Sequence, residues 1–127
     1  MKVKVYKNLH KNCYSVKASE GQFKNKVIFH ASSLTLSDVS FKVYENGRKR
    51  TIKEKQKNVH AFIEGYLESM IVLKGRSIYP STIDYTKGDR LSYNPYRFPY
   101  FYVCHSLEPI YNCETILLDS EGIWKIK

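Results

Sequence analysis

Apolar and polar residues alternate along much of the chain, and this pattern predicts strands. Near the N-terminus, Val3 and Val5 alternate with lysine and tyrosine, which is the period of two expected when one face of a strand meets solvent. Residues 13–18 and 26–31 have the composition of two further strands, joined by polar residues that favour a turn. The first part of the chain is therefore predicted to consist of strands.

The pattern changes near the middle of the chain. Residues 41–44 continue the alternation, and Asn46-Gly47 is a turn signal at which we expect that strand to end. Residues 48–57 then contain one apolar residue, Ile52, among residues that favour or tolerate a helix. This composition predicts a short surface helix that contacts the rest of the protein at one point.

Alternation returns in residues 58–67 and divides them between two faces. One face is mostly aliphatic and carries Ile63 and Leu67, whereas the other carries Asn58 and His60. If the aliphatic face is the core, Asn58 and His60 point together away from it. Further short strands are predicted at residues 70–73, 101–105, 114–118 and 123–126.

These elements define the predicted fold class. No segment is long and periodic enough for a large helix, and no repeat or interdomain linker is visible. We therefore predict one domain over residues 1–127 that is mainly β (α+β). It is expected to form a curved antiparallel sheet or a small barrel with one or two short helices.

Positive charge is concentrated in the first half of the chain. The net charge is +9, and residues 1–60 contain 14 Lys or Arg against 4 Asp or Glu. Residues 48–57 are the densest part, with six basic residues and one acidic residue. Such a run suits a phosphate-rich partner, although charge runs are also common on surfaces that bind nothing.

Other features narrow the class of protein. The N-terminus has no apolar signal segment and no stretch approaches the roughly 18 apolar residues of a membrane span, so we expect a cytoplasmic protein without a membrane partner. Cys13, Cys104 and Cys113 fit neither a disulfide framework nor zinc-ligand spacing, and we expect free thiols, no metal and no cofactor. Known phosphate-loop, zinc-protease and nucleophile-elbow motifs are absent from the sequence, which therefore identifies no reaction.

The first candidate site follows the first strand. Asn8, His10 and Lys11 bring an amide, an imidazole and an ammonium group together there. Imidazole beside cations suits phosphate contact or acid–base chemistry because its ordinary pKa lies near neutrality. An ordinary surface loop can have the same composition.

The second candidate is the segment containing Asn58 and His60, directly after the basic run. If its strand neighbours the first strand, two Asn-His pairs converge, and His10 and His60 become the general acid and base of a metal-independent phosphodiesterase or ribonuclease. Lys57 would then stabilise the developing charge. The alternative is a structural histidine, capped by the neighbouring amide and packed on Phe62.

The third candidate is an aromatic segment at residues 93–102, in which six of ten residues are aromatic. Its two prolines argue for a loop that enters a strand near Tyr100. Exposed rings beside Arg97 suit the stacking of bases. The alternative is that the rings cover the core, with tyrosine hydroxyls hydrogen-bonded at its edge.

These three segments carry a resemblance to a known group. Residues 7–11 (KNLHK), 57–61 (KNVHA) and 93–96 (YNPY) resemble those of small phage and prophage proteins without an assigned activity, over about the first 100 residues. The resemblance transfers no catalytic residue. It implies a phage protein that acts in the host cytoplasm, where handling nucleic acid and counteracting host defence are common tasks.

The sequence does not decide whether the protein binds a ligand or catalyses a reaction, and three hypotheses follow from it. In the first hypothesis the protein binds a polyanion, either nucleic acid or a nucleotide that includes a host-defence signal. In the second it is the His10/His60 phosphodiesterase, and in the third an inhibitor of a host protein with an acidic surface. The expected ligand contacts are Asn8, Lys11, Arg48, Arg50, Lys53, Lys55, Lys57, Asn58, Tyr93, Asn94, Tyr96, Arg97 and Phe98.

Overall fold

Strands dominate the computed structural model, which describes residues 1–72, 77–78 and 86–126. Within these ranges, nine strands form one antiparallel sheet accompanied by a single helix. The elements are β1 (Lys2–Asn8), β2 (Cys13–Ala18), β3 (Val27–Val43), α1 (Glu45–Glu54), β4 (Ala61–Val72), β5 (Ser77–Ile78), β6 (Lys87–Ser92), β7 (Tyr102–Val103), β8 (Asn112–Asp119) and β9 (Gly122–Ile126). The predicted mainly β fold with a curved antiparallel sheet is confirmed. The strand expected at residues 70–73 is the end of β4, and Leu73 lies outside the described residues.

Strand β3 organises the sheet because three other strands pair with it. Strand β4 follows one edge of β3 along residues 31–43. Strands β2 and β8 share the other edge, β2 at residues 27–31 and β8 at residues 34–40. Since β4 also pairs with β1, the pairings of β1 to β4 close on themselves, while β8, β9, β6 and β7 extend the sheet from β3.

The length of β3 was not predicted from the sequence. Two separate strands were expected where one runs continuously for 17 residues. The serines and Asp38 between them resemble a loop in composition, but three register shifts against β4 accommodate this segment within the sheet. Asp38 has a left-handed backbone with φ of 50°, and Leu36 and Val39 on either side of it are buried. The segment therefore contributes to the core despite its polar composition.

The core is formed by side chains from both the closed part of the sheet and its extension. Its fully buried members include Val5 and Val16 from β1 and β2, Leu36 from β3, and Ile116 and Leu118 from β8. Burying one such aliphatic side chain contributes roughly 1.5–3 kcal/mol. The alternation seen in the N-terminal residues thus marks core positions correctly.

The helix differs from its predicted position. It was expected at residues 48–57 after a turn at Asn46-Gly47, but it begins at Glu45, includes both turn residues and ends at Glu54. Lys55 then adopts a left-handed backbone with φ of 56°, which ends the helix. Gly47 is needed for packing rather than for a turn, because a Cβ atom there would lie 2.5 Å from Cβ of His60.

The three cysteines are free thiols, with Cys13 buried and Cys104 and Cys113 half-buried, as expected. Among the described residues, no helix combines the length and apolar character needed to cross a membrane.

The turn between β8 and β9 depends on the carboxylate of Asp119. Its Oδ1 accepts hydrogen bonds from the amides of Glu121 (2.9 Å) and Gly122 (3.1 Å) and from the indole of Trp124 (3.3 Å). Its Oδ2 lies 2.9 Å from Nζ of Lys87. Burial raises the pKa of Asp119, but the hydrogen bonds from Lys87, Glu121 and Trp124 outweigh this effect and hold the pKa below its ordinary value.

We predict that Asp119→Asn lowers the free energy of unfolding in a pH-dependent way. A carboxylate whose pKa is depressed by folding stabilises the protein above its unfolded pKa of about 3.9, and this contribution is lost as the pH falls through the folded value. Urea unfolding of both proteins between about pH 7 and pH 3 should show a difference that shrinks toward acid. The exposed Glu20→Gln is the control, and a difference independent of pH would contradict the prediction.

Candidate nucleic-acid interface

His60 fastens helix α1 to the sheet. Its side chain was expected on an outward face, but only 5% of the residue is exposed. The strand alternation does not reach it, because β4 begins at Ala61 and α1 covers the preceding segment. Nδ1 of His60 lies 3.0 Å from the carbonyl oxygen of Asn58 and 3.4 Å from Oγ1 of Thr51, and Nε2 lies 2.6 Å from the hydroxyl oxygen of Tyr93. The carbonyl of His60 also accepts a 2.7 Å hydrogen bond from the amide of Tyr44, next to the helix.

The directions of these hydrogen bonds follow from the chemistry of the partners. Thr51 donates its hydroxyl to the carbonyl of Gly47, and the side-chain amide of Asn58 donates to Oγ1 of Thr51 at 2.7 Å. The backbone carbonyl of Asn58 can only accept, so Nδ1 of His60 donates to it. In the neutral ring, Nε2 then accepts from Tyr93. Burial raises the pKa of Tyr93 to about 12, against a smaller lowering by Arg48, so its hydroxyl keeps the proton that it donates.

Tyr93 extends this contact into the core. Its ring lies 5.5 Å from that of His60, centroid to centroid, and stacks on Phe101 at 5.1 Å. Phe101 in turn packs on Phe41 of β3 at 5.0 Å. The amide of Asn58 adjoins His60, as the structural alternative expected, but the aromatic partner is Tyr93, while Phe62 packs on other rings. We call the group formed by Thr51, Asn58, His60 and Tyr93 the His60 network.

The basic residues of the central run fall into two groups. Arg48 is mostly covered, because its Nη1 lies 3.0 Å from Oε1 of Glu45 and its Nε donates to the carbonyl of Pro95 at 3.0 Å. The remaining cations are exposed, and no ion pair within the described ranges neutralises them. They are Lys49, Arg50, Lys53, Lys55 and Lys57.

The aromatic loop lies beside this helix. Its residues 94–98 form a turn in which Oδ1 of Asn94 accepts from the amide of Tyr96 at 3.0 Å. The Arg48–Pro95 hydrogen bond joins the turn to α1. Tyr96 is 61% exposed, and the guanidinium of Arg97 lies 5.4 Å from the ring of Phe98. Tyr93 and Phe98 are half-buried, so Tyr96 and Arg97 are the exposed members of the predicted stacking residues.

The first candidate segment forms the turn between β1 and β2. Oδ1 of Asn8 accepts hydrogen bonds from the amides of His10 and Lys11, both at 3.1 Å, and its Nδ2 donates to Ser15 at 3.0 Å. Strands β1 and β4 are neighbours, but their paired residues end at Val5. In the described part of the chain, no hydrogen bond connects the Asn8/His10 pair with the His60 network. His10 and Lys11 are exposed.

Sequence reasoning missed a second group of aromatic and basic side chains on the outer face of the sheet. The ring of Phe62 contacts those of Tyr6 and Tyr44 edge to face, at 5.8 and 5.5 Å. The ammonium groups of Lys17 and Lys4 lie 5.5 and 6.0 Å from its centroid. Alternation in β1 places Lys4 and Tyr6 on this face, but only the pairing with β4 and β2 brings the other members to them.

No three His, Cys, Asp or Glu side chains cluster in a way that would hold a metal ion among the residues described.

The mainly β fold with an exposed basic helix and an aromatic turn matches no solved structure. The sequence, in contrast, matches a family of phage proteins. The sequence model of the family described as Mycobacterium phage L5 gene 82 protein matches residues 1–126, and the chain belongs to this family. The gene 82 protein of that phage is 33% identical over 129 residues, which cover 97% of this chain and 94% of that protein. The resemblance to small phage proteins is thus confirmed, and it extends beyond residue 100 through the last strands.

We predict that Tyr93→Phe destabilises the protein by about 1–3 kcal/mol, because it leaves Nε2 of His60 without its donor in a buried site. Urea unfolding followed by circular dichroism measures the change. The control is Tyr96→Phe, which removes the same hydroxyl from an exposed ring and should shift stability by less than about 0.5 kcal/mol. Equal effects of the two substitutions would contradict a stabilising role for the His60–Tyr93 hydrogen bond.

Proposed function

We propose that the protein binds single-stranded nucleic acid through a helix–loop surface, defined as the exposed cations at residues 49–57 together with the turn at residues 94–98. The observation that carries this proposal is the hydrogen bond from Arg48 to the carbonyl of Pro95. It fixes the aromatic turn beside the basic helix, so that groups suited to phosphates and groups suited to bases belong to one surface.

The electrostatic part of the proposal rests on five exposed cations within nine residues. Cationic side chains that replace small cations around a nucleic acid release counterions, and this release favours binding at low salt. Arg48 is not expected to contact a phosphate, because its side chain is only 17% exposed and two of its N–H groups already bond to Glu45 and Pro95. Its role is to position the turn.

The preference for a single strand rests on Tyr96. An exposed ring can stack on a base only where the base face is accessible, which is the case in single strands and not inside a duplex. Stacking of this kind contributes about 1–3 kcal/mol for each base and tolerates any base. Arg97 adds a guanidinium beside the same turn.

The geometry gives the catalytic alternative no comparable support. Both ring nitrogens of His60 have hydrogen-bond partners within the protein, and Nε2 would have to give up Tyr93 before it could take a proton from a substrate. His10 lies on an exposed turn without a hydrogen bond to His60. Binding to an acidic host protein would use the same cations, but it would not require the ring of Tyr96.

We predict that Lys53→Gln with Lys57→Gln weakens binding of mixed-sequence single-stranded oligonucleotides and flattens its salt dependence. The log–log slope of affinity against salt should fall by about 0.7 for each phosphate that the variant no longer neutralises. Lys55 is kept because its left-handed backbone could complicate the comparison. Fluorescence anisotropy at several salt concentrations provides the measurement.

The matched control replaces Lys24 and Lys26, which are also exposed but lie between β2 and β3. This variant carries the same net charge and should keep the slope of the wild-type protein. If both pairs reduce the slope equally, binding depends on overall charge and the helix–loop surface is not the site.

We predict that Tyr96→Ala weakens single-strand binding by about 1–3 kcal/mol while leaving the salt slope unchanged, because stacking on a base releases no counterions. Tyr111→Ala removes a ring that is 57% exposed and lies outside the surface, so it serves as the control. The same anisotropy titration with a duplex of equal length should show little effect of either substitution. If Tyr96→Ala has no effect on single strands, the ligand is held by charge alone, as for an acidic protein partner.

A further inference from the structure

A groove of about 360 Å³ lies between the paired ends of β1 and β2, the start of β4, the end of β6 and the turn that joins β8 to β9. Small-molecule sites in proteins typically have volumes of about 300–1,000 Å³. None of the exposed cations of the helix–loop surface lines it. Its lining combines an apolar floor, aromatic walls and two cations at its edge.

The floor and walls suit a flat ring. Val5, Leu91 and Leu118 lie beneath the groove and are almost completely buried, so the apolar floor that a ring could touch belongs to Ala61 and Ile123, which are half-buried. Tyr14 and Tyr93 stand in the walls, with their hydroxyl groups already bonded to the carbonyl of Asp119 (2.9 Å) and to His60. Burial raises the pKa of each tyrosine to about 12, so the walls remain uncharged at neutral pH. A ligand would therefore meet ring surfaces rather than free phenolic groups.

The edge carries positive charge. Nζ of Lys7 lies 4.8 Å from the ring centroid of Tyr14, and Nη2 of Arg90 donates to the carbonyl of Glu121 at 2.7 Å. Neither cation forms an ion pair with a carboxylate in the described part of the chain. The carboxylate of Glu121 also borders the groove, and its charge is only partly offset, because Nζ of Lys87 lies 3.8 Å from it and pairs more closely with Asp119. An anionic group would find two cations whose present partners are neutral.

We propose that this groove binds one nucleotide unit, with the base on the apolar floor and the phosphate between Lys7 and Arg90. The nucleotide is either free or the 5′-phosphorylated end of a strand, since both present the same ring and the same phosphate. The cations and the floor of this site are not part of the helix–loop surface, although Tyr93 in its wall directly precedes the turn at residues 94–98.

The first test is calorimetric titration of the whole protein with adenosine monophosphate, adenosine and inorganic phosphate. The monophosphate should bind at least about tenfold more tightly than either fragment, because only it contacts floor and edge together. A 5′-phosphorylated oligonucleotide and its unphosphorylated counterpart then separate the two sources. Tighter binding of the phosphorylated strand indicates a strand end, and equal binding of the two strands indicates a free nucleotide.

Two variants locate the site. Lys7→Gln removes one edge cation from an exposed position and should weaken monophosphate binding about tenfold, the loss expected for a charge-assisted hydrogen bond. Ala61→Phe fills the groove from the start of β4 and should abolish binding, with circular dichroism showing whether the fold persists. Lys24→Gln is the charge-matched control and should bind as the wild-type protein does.

The outcomes distinguish nucleotide binding in the groove from oligonucleotide binding at the helix–loop surface. The Lys53→Gln, Lys57→Gln variant should bind the monophosphate normally even though it loses affinity for oligonucleotides. The proposal is overturned if the wild-type protein does not bind the monophosphate at millimolar concentration, or if inorganic phosphate binds equally well. It is also overturned if Lys7→Gln leaves the affinity unchanged.

Discussion

The hydrogen bonds of His60 are the contact on which the position of the helix–loop surface depends. Helix α1 is only ten residues long and has one buried residue, Thr51, so it has little apolar area with which to hold itself to the sheet. Such a short helix is marginal in water without tertiary contacts. His60 supplies these contacts by joining Thr51, Asn58 and Tyr93, and Tyr93 continues into the core through Phe101. The exposed cations are thereby held on a defined surface instead of a loose segment.

The sequence predicted the fold best where alternation and burial agree. Val3 and Val5 mark a strand and are both completely buried, and the strands near residues 114–118 and 123–126 are present as β8 and β9. It failed where local composition and tertiary pairing disagree. The serine-rich middle of β3 reads as a loop, yet it pairs with β4 and β8 on both edges. Gly47 was predicted to form a turn, but it lies in the helix, where its lack of a side chain lets the helix pack closely against His60.

The candidate site was predictable as a set of residues but not as an arrangement. Charge density identified the basic run, and aromatic composition identified the loop, from the sequence alone. Their proximity depends on the Arg48–Pro95 hydrogen bond, between residues 47 positions apart, and no local pattern reveals it. The role of His60 was equally hidden, since the alternation of β4 placed it outside while α1 covers it. The group around Phe62 was missed because its members come from separate strands and from the residue before the helix.

The division of partners along β3 has a consequence for the order of folding. All strands of the closed part, β1 to β4, lie within the first 72 residues, so these pairings can form as soon as that portion has been synthesised. The second edge of β3 must wait for β8, because Ser40 and its neighbour Asn112 are 72 positions apart. Until then, residues 34–40 present an unpaired strand edge that carries Leu34 and Leu36, which is the kind of edge that invites pairing between chains. Pairing with β8 therefore covers the edge at which another chain could otherwise pair.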